Sequence, residues 1–530
     1  MKQLPFSILS ILSILLLSTI GCYHRSGPAH YERPRETMTA TEHKDHLKTE
    51  QHNTEEYDYI RENDFQSVMD QPLSTFAIDV DQASYSNVRR YLNNNMLPPK
   101  DAVRLEELIN YFHYDFPQEE SGPCAVLTEV APCPWNENNH LLQVGLKARD
   151  LPTEELPASN FVFLIDVSGS MASFNKLPLL KNAFHLFVEQ LRPEDRVAIV
   201  VYAGASGLVL PSTSGNEKRR ILAALDGLAA GGSTAGASGI ELAYKVAHEN
   251  FIPEGNNRII LATDGDFNVG PSSNGQLVRL IEAKRKGGVY LSVLGFGMGN
   301  YKDAKVEKLA DHGNGNYAYI DGMQEAKKVL VTEFSSTTFT VANDVKLQLE
   351  FNPARVEKYR LIGYENRLMA AEDFIDDTKD AGEMGAGHSV VALYEIVPAQ
   401  GPSSASIPLK YQNRKISREA AKDQDWATIK LRYKRPRSEV SQEKIYTTRN
   451  EGGAWQAASN NLRFAASVAG YGLLLRDSKY KGNVNFDWVI REASAAKGRD
   501  PHEYRAEFID LARKASALYR EGVSYEADGR

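Results

Sequence analysis

The stretch FVFLIDVSGS, residues 161–170, decides the fold: five apolar residues are followed at once by Asp166, Ser168 and Ser170. Five consecutive apolar residues, two of them β-branched and two aromatic, are typical of a strand that is buried on both faces. Such strands occur in parallel sheets whose two faces are covered by helices. The sequence therefore predicts a central strand of an α/β sheet with a polar loop at its carboxyl end.

The chain that follows this strand alternates short apolar runs with amphipathic helical patterns as far as residue 334. The helix predicted over residues 179–191, for example, carries one apolar stripe. This alternation is typical of a doubly wound, mostly parallel sheet, which we place at residues 157–334. Its strands are predicted at residues 161–165, 197–202, 258–262, 289–294 and 317–320.

Two further polar loops are predicted at the same edge of this sheet. Residues 231–236 read GGSTAG and precede a helix, and residues 263–266 read TDGD and follow a strand. Ligands of open α/β sheets bind at the carboxyl ends of the strands, where such loops meet. Carboxylate and hydroxyl oxygens are hard ligands that suit Mg²⁺, and also Mn²⁺ or Ca²⁺. The sequence therefore predicts a cation site at this edge.

The three motifs resemble the metal-ion-dependent adhesion site of the von Willebrand factor type A (VWA) domain. By that resemblance, the five site residues are Asp166, Ser168, Ser170, Thr234 and Asp264. In such domains the hydroxyls touch the ion and the aspartates act largely through water, so that one coordination position stays open. The resemblance implies that an Asp or Glu carboxylate of a protein ligand completes the shell.

Strand patterns also flank the α/β unit on both sides. Residues 124–130 and 141–147 precede it, and after residue 334 the apolar period changes to two, as in residues 345–351. We therefore expect a β-sandwich into which the α/β unit is inserted or which flanks it. Further strands are predicted at residues 356–362, 390–397 and 427–433, and helices at 85–92, 103–112, 455–475, 486–496 and 503–519.

A second resemblance covers nearly the whole chain after residue 71. Residues 74–81, 98–116 and 130–136, together with the tail at 454–519, are similar to a family of bacterial lipoproteins with a central VWA domain and an uncharacterised C-terminal domain. The predicted order is a signal peptide (1–21), a tether (22–71), an N-terminal region with a small helical cap and strands (72–156), the VWA domain (157–334), a β-rich domain (335–450) and a helical C-terminal region (451–530).

The N-terminus carries a predicted export signal. Lys2 precedes an apolar run at residues 4–20, which has the length of a secretory signal and is short for a membrane span. The junction STIGC, residues 18–22, resembles a bacterial lipobox and implies that Cys22 is acylated, with palmitate for instance, and anchors the chain to a membrane. A plain signal peptide and an uncleaved anchor are the alternatives. We expect an outer-membrane anchor facing the periplasm.

Residues 22–71 are polar and poor in aliphatic side chains, which predicts a disordered tether whose histidines are solvated. In the folded part, Asp79 lies in a predicted strand at residues 76–80, and Asp81 follows two residues later. We expect a capping or salt-bridging role for them, with cation binding as the alternative. The two cysteines Cys124 and Cys133 either pair or, if the segment between them is extended, lie too far apart.

Composition and motifs exclude several functions. The 61 Lys and Arg against 69 Asp and Glu give a net charge of −8, which provides no general attraction for nucleic acid. The chain lacks Walker, nucleophile-elbow and HExxH motifs. We therefore predict a non-enzymatic envelope protein with an adhesion or scaffold role, which binds a protein ligand through Mg²⁺. The alternatives are a structural protein whose ion only stabilises the fold and a metal-assisted hydrolase.

Overall fold

The computed structural model describes residues 55–522, apart from 79–80, 119–121, 153–154, 233–235, 266–273, 299–300, 380, 401–409, 412–414 and 437. These residues belong to one compact unit, His52–Arg530. The predicted signal peptide, Cys22 and most of the predicted tether lie outside the described residues, as do Asp79 and Thr234. No helix within the described part of the chain is long and apolar enough to cross a membrane.

The described part of the chain contains seventeen strands. They are β1 (Gln66–Ser67), β2 (Leu73–Ala77), β3 (Cys124–Pro132), β4 (His140–Ala148), β5 (Ser159–Asp166), β6 (Arg196–Tyr202), β7 (Ser206–Ser214), β8 (Asn256–Thr263), β9 (Val289–Phe296), β10 (Tyr317–Ile320), β11 (Thr340–Phe351), β12 (Val356–Ile362), β13 (Leu368–Met369), β14 (Gly382–Gly385), β15 (Ser389–Pro398), β16 (Ala427–Lys434) and β17 (Ser441–Thr448).

It also contains thirteen α-helices. They are α1 (Ala83–Asn93), α2 (Leu105–Asn110), α3 (Leu177–Gln190), α4 (Lys218–Asp226), α5 (Gly236–Glu249), α6 (Asn274–Arg285), α7 (Asp303–His312), α8 (Met323–Lys327), α9 (Phe334–Thr338), α10 (Arg418–Lys422), α11 (Asn460–Leu475), α12 (Phe486–Ala495) and α13 (Tyr504–Arg520).

The α/β unit is built on a six-stranded sheet with the order β10-β9-β8-β5-β6-β7. All neighbouring strands are parallel except β6 and β7, which are antiparallel. Every residue of β5 is buried, because helices cover both faces of the sheet. The predicted VWA-like α/β fold is therefore confirmed. The edge strand β7 was not predicted, since its residues are mostly polar or exposed and lack an alternating pattern.

Two further sheets share one core beside the α/β unit. Their strand orders are β1-β12-β15-β4-β3 and β13-β2-β11-β16-β17, with β14 pairing to β11. Leu142 and Val144 of the first sheet and Leu347 and Leu349 of the second belong to the same apolar core. Each sheet contains strands that precede the α/β unit and strands that follow it, so the chain leaves this β-structure, forms the α/β unit and returns.

The C-terminal helices do not form a core of their own. Helices α11, α12 and α13 pack with α1 and α2 in a single apolar cluster. At its centre the ring of Phe112 contacts the rings of Phe464 and Phe508, with centroids 5.0 and 5.6 Å away. The N-terminal segment thus contributes both to the core between the two sheets and to the helical cluster.

The predicted tether, residues 22–71, includes residues that belong to the folded part of the chain. Residues 55–71 pack on the folded part: β1 pairs with β12, and Glu55 forms a buried ion pair with Arg90, with 2.8 Å between Oε2 and Nη2. These contacts are polar or involve the backbone, and therefore the apolar content of the segment did not predict them. At the end of the α/β unit, α8 is followed by a π-helical turn at Lys328–Thr332 and then by α9.

Two predictions about individual residues are settled by their contacts. Asp81 is buried and accepts hydrogen bonds from the backbone N–H of Tyr317 (2.9 Å) and from Nη2 of Arg367 (3.3 Å). The salt-bridging role expected for Asp81 is thus confirmed. Cys124 and Cys133 are both buried and form no disulfide, because Cys124 begins the extended strand β3 and Cys133 follows its end.

Candidate metal site

The loop after β5 begins with a fixed carboxylate. Asp166 ends the strand and is buried, and its Oδ1 accepts a hydrogen bond of 2.8 Å from the backbone N–H of Ser168. Its Oδ2 lies 3.5 Å from the hydroxyl of Thr263, at the end of the neighbouring strand β8. Burial raises the pKa of Asp166 to about 6, and the nearby Asp264 adds to this increase, whereas the hydrogen bonds from Ser168 oppose it.

Two hydroxyls of the same loop lie at a distance that suits metal coordination. The Oγ atoms of Ser168 and Ser170 are 3.0 Å apart. Mg²⁺ binds oxygen at 2.0–2.1 Å in an octahedron, which places adjacent ligands about 2.9 Å from each other. Ser168 is buried and Ser170 is exposed, so the pair opens toward solvent on one side. This geometry fits two adjacent positions of a Mg²⁺ shell.

Backbone hydrogen bonds bring the second predicted loop to the first. The N–H of Gly169 donates to the carbonyl of Gly232 (3.1 Å), and the N–H of Gly231 donates to the carbonyl of Val167 (2.7 Å). Gly232 has a φ of +86°, a conformation that glycine adopts without strain. Thr234, the predicted hydroxyl ligand of this loop, is outside the described residues, and its role remains a prediction.

The third loop places Asp264 beside a lysine that the sequence did not reveal. The Nζ of Lys176 lies 2.8 Å from Oδ2 of Asp264, and both side chains are buried. Lys176 stands directly before α3, in a segment where a lysine is usually solvent-exposed. Its aliphatic stem passes Gly297, where a Cβ would overlap the Cε of Lys176. Nothing in the local sequence predicts this contact, since β9 and the loop after β8 are far away in the chain.

The resulting ligand set is poor in carboxylates. Among the described residues, no group of three or more His, Cys, Asp or Glu side chains is arranged to hold a metal ion. The predicted site instead combines two carboxylates, Asp166 and Asp264, with hydroxyl oxygens. The structure brings together Asp166, Ser168, Ser170 and Asp264, and adds one cationic group, Lys176, to them. The residues present fit a hard divalent cation. The positive charge of Lys176 next to Asp264 would repel such a cation.

Three family models match parts of this chain. A family model described as "von Willebrand factor type A domain" matches residues 161–266, one described as "von Willebrand factor" matches 51–143, and one described as "Uncharacterized protein YfbK, C-terminal" matches 336–518. The Escherichia coli (strain K12) "Uncharacterized protein YfbK" is 45% identical over 473 residues, which cover 88% of this chain and 82% of that protein. This chain belongs to the YfbK family.

More distant similarities cover less of the chain or are weaker. Human inter-alpha-trypsin inhibitor heavy chain H3 is 30% identical over 171 residues, 31% of this chain and 19% of that protein. The structure of a von Willebrand factor type A protein from Catenulispora acidiphila is 14% identical, covers 76% of this chain and 92% of that one, and has a TM-score of 0.42. The YfbK family assignment rests on the sequence matches, since this TM-score is low.

Proposed function

We propose that this chain is a lipid-anchored cell-envelope protein that binds a protein ligand through Mg²⁺ held by Asp166, Ser168, Ser170, Thr234 and Asp264. The VWA domain itself indicates a role in protein interaction, as an adhesion or scaffold module. Anchoring through Cys22, at an outer membrane facing the periplasm, is supported by the resemblance of residues 18–22 to a lipobox. The bound ion supplies a Lewis-acidic position for a carboxylate of the ligand.

The observation that carries the proposal is the one-sided exposure of the site. Asp166 and Ser168 are buried, whereas Ser170 is exposed. Two large apolar side chains near the site are exposed. Phe174 follows Ser170 by four residues and is 84% exposed. Met298 is 45% exposed and directly follows Gly297, which packs against Lys176. Exposed apolar groups beside a polar site are typical of a surface that binds another protein. An ion with only a structural role should be covered instead.

The carboxylates of the site favour binding over hydrolysis. A metal-assisted hydrolase needs a general base that can take a proton from water. Asp166 accepts hydrogen bonds from the amide of Ser168 and the hydroxyl of Thr263, and Asp264 is paired with Lys176. Both carboxylates are thus held by groups of the protein. We therefore propose that the protein has no catalytic activity.

A peptide pair tests whether the ion receives a carboxylate. The chain without its predicted signal peptide and Cys22 (residues 23–530) is titrated with a short peptide containing one Glu, and with the same peptide containing Gln. We expect the Glu peptide to bind in Mg²⁺ and to lose at least about tenfold in affinity in EDTA, and the Gln peptide to bind in neither. Equal binding of the two peptides, or binding unaffected by EDTA, would contradict a carboxylate receptor and favour the structural ion.

A further inference from the structure

Residues 55–58, which we call the strap, are docked on the folded part of the chain by polar contacts. The carboxylate of Glu55 accepts two hydrogen bonds from the guanidinium of Arg90 on α1, with Oε1–Nη1 and Oε2–Nη2 distances of 2.9 and 2.8 Å. The hydroxyl of Tyr91 also donates to Oε2 of Glu55 (2.8 Å), and the Glu55 side chain is only 2% exposed. A buried bidentate pair of this kind fixes the position of both groups. Glu55 is therefore the main attachment of the strap.

The strap also pairs with backbone that lies next to the metal site. The N–H of Glu56 donates to the carbonyl of Tyr301 (3.3 Å), and Glu56 and Lys302 form a parallel bridge. Their side chains are paired as well, with 2.7 Å between Oε1 of Glu56 and Nζ of Lys302. Asp58 is paired in turn with Lys308 of α7, at 3.0 Å. The strap thus lies along Tyr301, Lys302 and the first turns of α7.

Tyr301 and Lys302 pack on the loop that carries Asp264. A Cβ at Gly265 would lie 2.8 Å from the backbone N of Lys302 and 2.9 Å from the ring of Tyr301, so the two segments are in close contact. The N–H of Gly265 donates to the hydroxyl of Thr263 (3.2 Å), which fixes the loop on its other side. Because Gly265 directly follows Asp264, a shift of the backbone at residues 301–302 is passed on to that carboxylate.

The strap is held without apolar packing. The apolar clusters of the described residues include none of residues 55–58. A groove of ≈430 Å³ lies between the strap and the helices α6 and α7, and Gly265 is part of its lining. Surface segments with few apolar contacts open locally at a lower free energy than the core does. We therefore expect the strap to leave its place while the cores stay folded.

We propose that the strap is a positioning element of the metal site. When it is docked, it holds Asp264 where the ion needs this carboxylate, and its release weakens Mg²⁺ binding. This inference rests on the proposed function, since it concerns the same ion. The chain leads from the strap back to Cys22, the proposed anchor. A pull on the anchored end that undocks the strap would therefore lower the affinity for Mg²⁺ and, with it, for a carboxylate ligand.

Two neighbouring arginines of α1 provide a matched pair of variants in residues 23–530. Arg90→Met removes the partner of Glu55. Arg89→Met makes the same change one residue earlier, where the partners among the described residues, such as Asp321, lie outside the strap. Calorimetric titration should show an Mg²⁺ affinity at least about fivefold below the wild type in Arg90→Met and within about twofold of it in Arg89→Met. Charge alone predicts the opposite for Arg90→Met, because loss of a positive charge favours a cation.

A second pair of variants decides if either arginine variant does not fold. Glu55→Gln keeps the size of the side chain and removes its charge from the pair with Arg90. Asp64→Asn makes the same kind of change nearby in the chain, where Asp64 forms an exposed pair with Lys479 at 2.6 Å. We expect the loss of Mg²⁺ affinity in Glu55→Gln, and an affinity like that of the wild type in Asp64→Asn.

Hydrogen exchange of the metal-free proteins tests the strap independently of the ion. In EDTA, the amide of Gly265 should exchange at least about tenfold faster in Arg90→Met than in the wild type, as measured in peptide fragments that cover residues 263–265. Unchanged exchange there, unchanged Mg²⁺ affinity in Arg90→Met, or an equal loss of affinity in Arg89→Met would overturn the positioning role. A wild type that binds no Mg²⁺ would refute the proposed function, and the exchange result would still decide whether the strap holds the Asp264 loop.

Discussion

Replacing Arg89 by alanine should lower the free energy of unfolding by at least about 3–5 kcal/mol, the cost of leaving buried charges without their partner. The Arg89 guanidinium lies 2.6 Å from a carboxylate oxygen of Asp321, 2.6 Å from one of Glu325 and 3.1 Å from one of Glu507. It joins α1, the end of the α/β unit and α13. Denaturant unfolding followed by circular dichroism measures the effect.

A control substitution shows whether the effect is specific to this buried cluster or common to charged pairs on the surface. Arg513 lies on the same helix as Glu507 and pairs with Asp510 at 2.6 Å, but both side chains are more than half exposed. Exposed pairs contribute about 0–1 kcal/mol. Arg513→Ala should therefore unfold almost like the wild type. An Arg89→Ala variant that unfolds within about 1 kcal/mol of the wild type would show that the three parts of the chain are held together by apolar packing alone.

Replacing Lys176 by methionine should tighten Mg²⁺ binding by at least about tenfold, or 1.4 kcal/mol. The lysine ammonium contacts Asp264 at 2.8 Å and is buried, so a divalent cation at the site meets a fixed positive charge. The substitution also leaves the buried carboxylate of Asp264 without its ion-pair partner, which destabilises the metal-free form. We expect lower stability in EDTA and recovery of that stability when Mg²⁺ is added.

The control for this variant lies in the same part of the chain. Lys181 is on α3, and its Nζ donates to the carbonyls of Asp226 and Leu228 and not to Asp264. Lys181→Met should therefore leave Mg²⁺ affinity unchanged. Equal or weaker Mg²⁺ binding by Lys176→Met would mean that the lysine holds Asp264 in place for the ion and does not compete with it.

Strands with strong apolar patterns could be predicted closely from the sequence. The strand expected at residues 356–362 is β12 with the same bounds, and β5 contains the predicted residues 161–165. Burial on two faces, or a clear alternation along one, leaves few alternatives for such segments. The edge strand β7 and the two-residue strands β1 and β13 carry no such pattern, because their pairing depends on neighbours elsewhere in the chain.

Contacts between distant segments could not be predicted in the same way. The loop of Asp166, Ser168 and Ser170 is local, and its position at the end of β5 follows from the fold class. Lys176 reaches Asp264 only because α3 and the loop after β8 meet in space. Likewise, the packing of residues 55–71 and the common core of α1, α2 and α11–α13 depend on tertiary contacts that a single sequence does not display.

The central claim is that the residues of the candidate metal site hold a divalent cation. Calorimetric titration of Mg²⁺ into metal-free residues 23–530 tests it most directly. The same titration is made with the variants Asp166→Ala and Ser168→Ala. The second variant removes one hydroxyl and keeps both carboxylates, so it serves if the first does not fold. We predict that the wild type binds one ion per chain and that neither variant binds it with comparable affinity. A wild type without a binding heat at several temperatures, or variants that bind Mg²⁺ as the wild type does, would contradict the metal site.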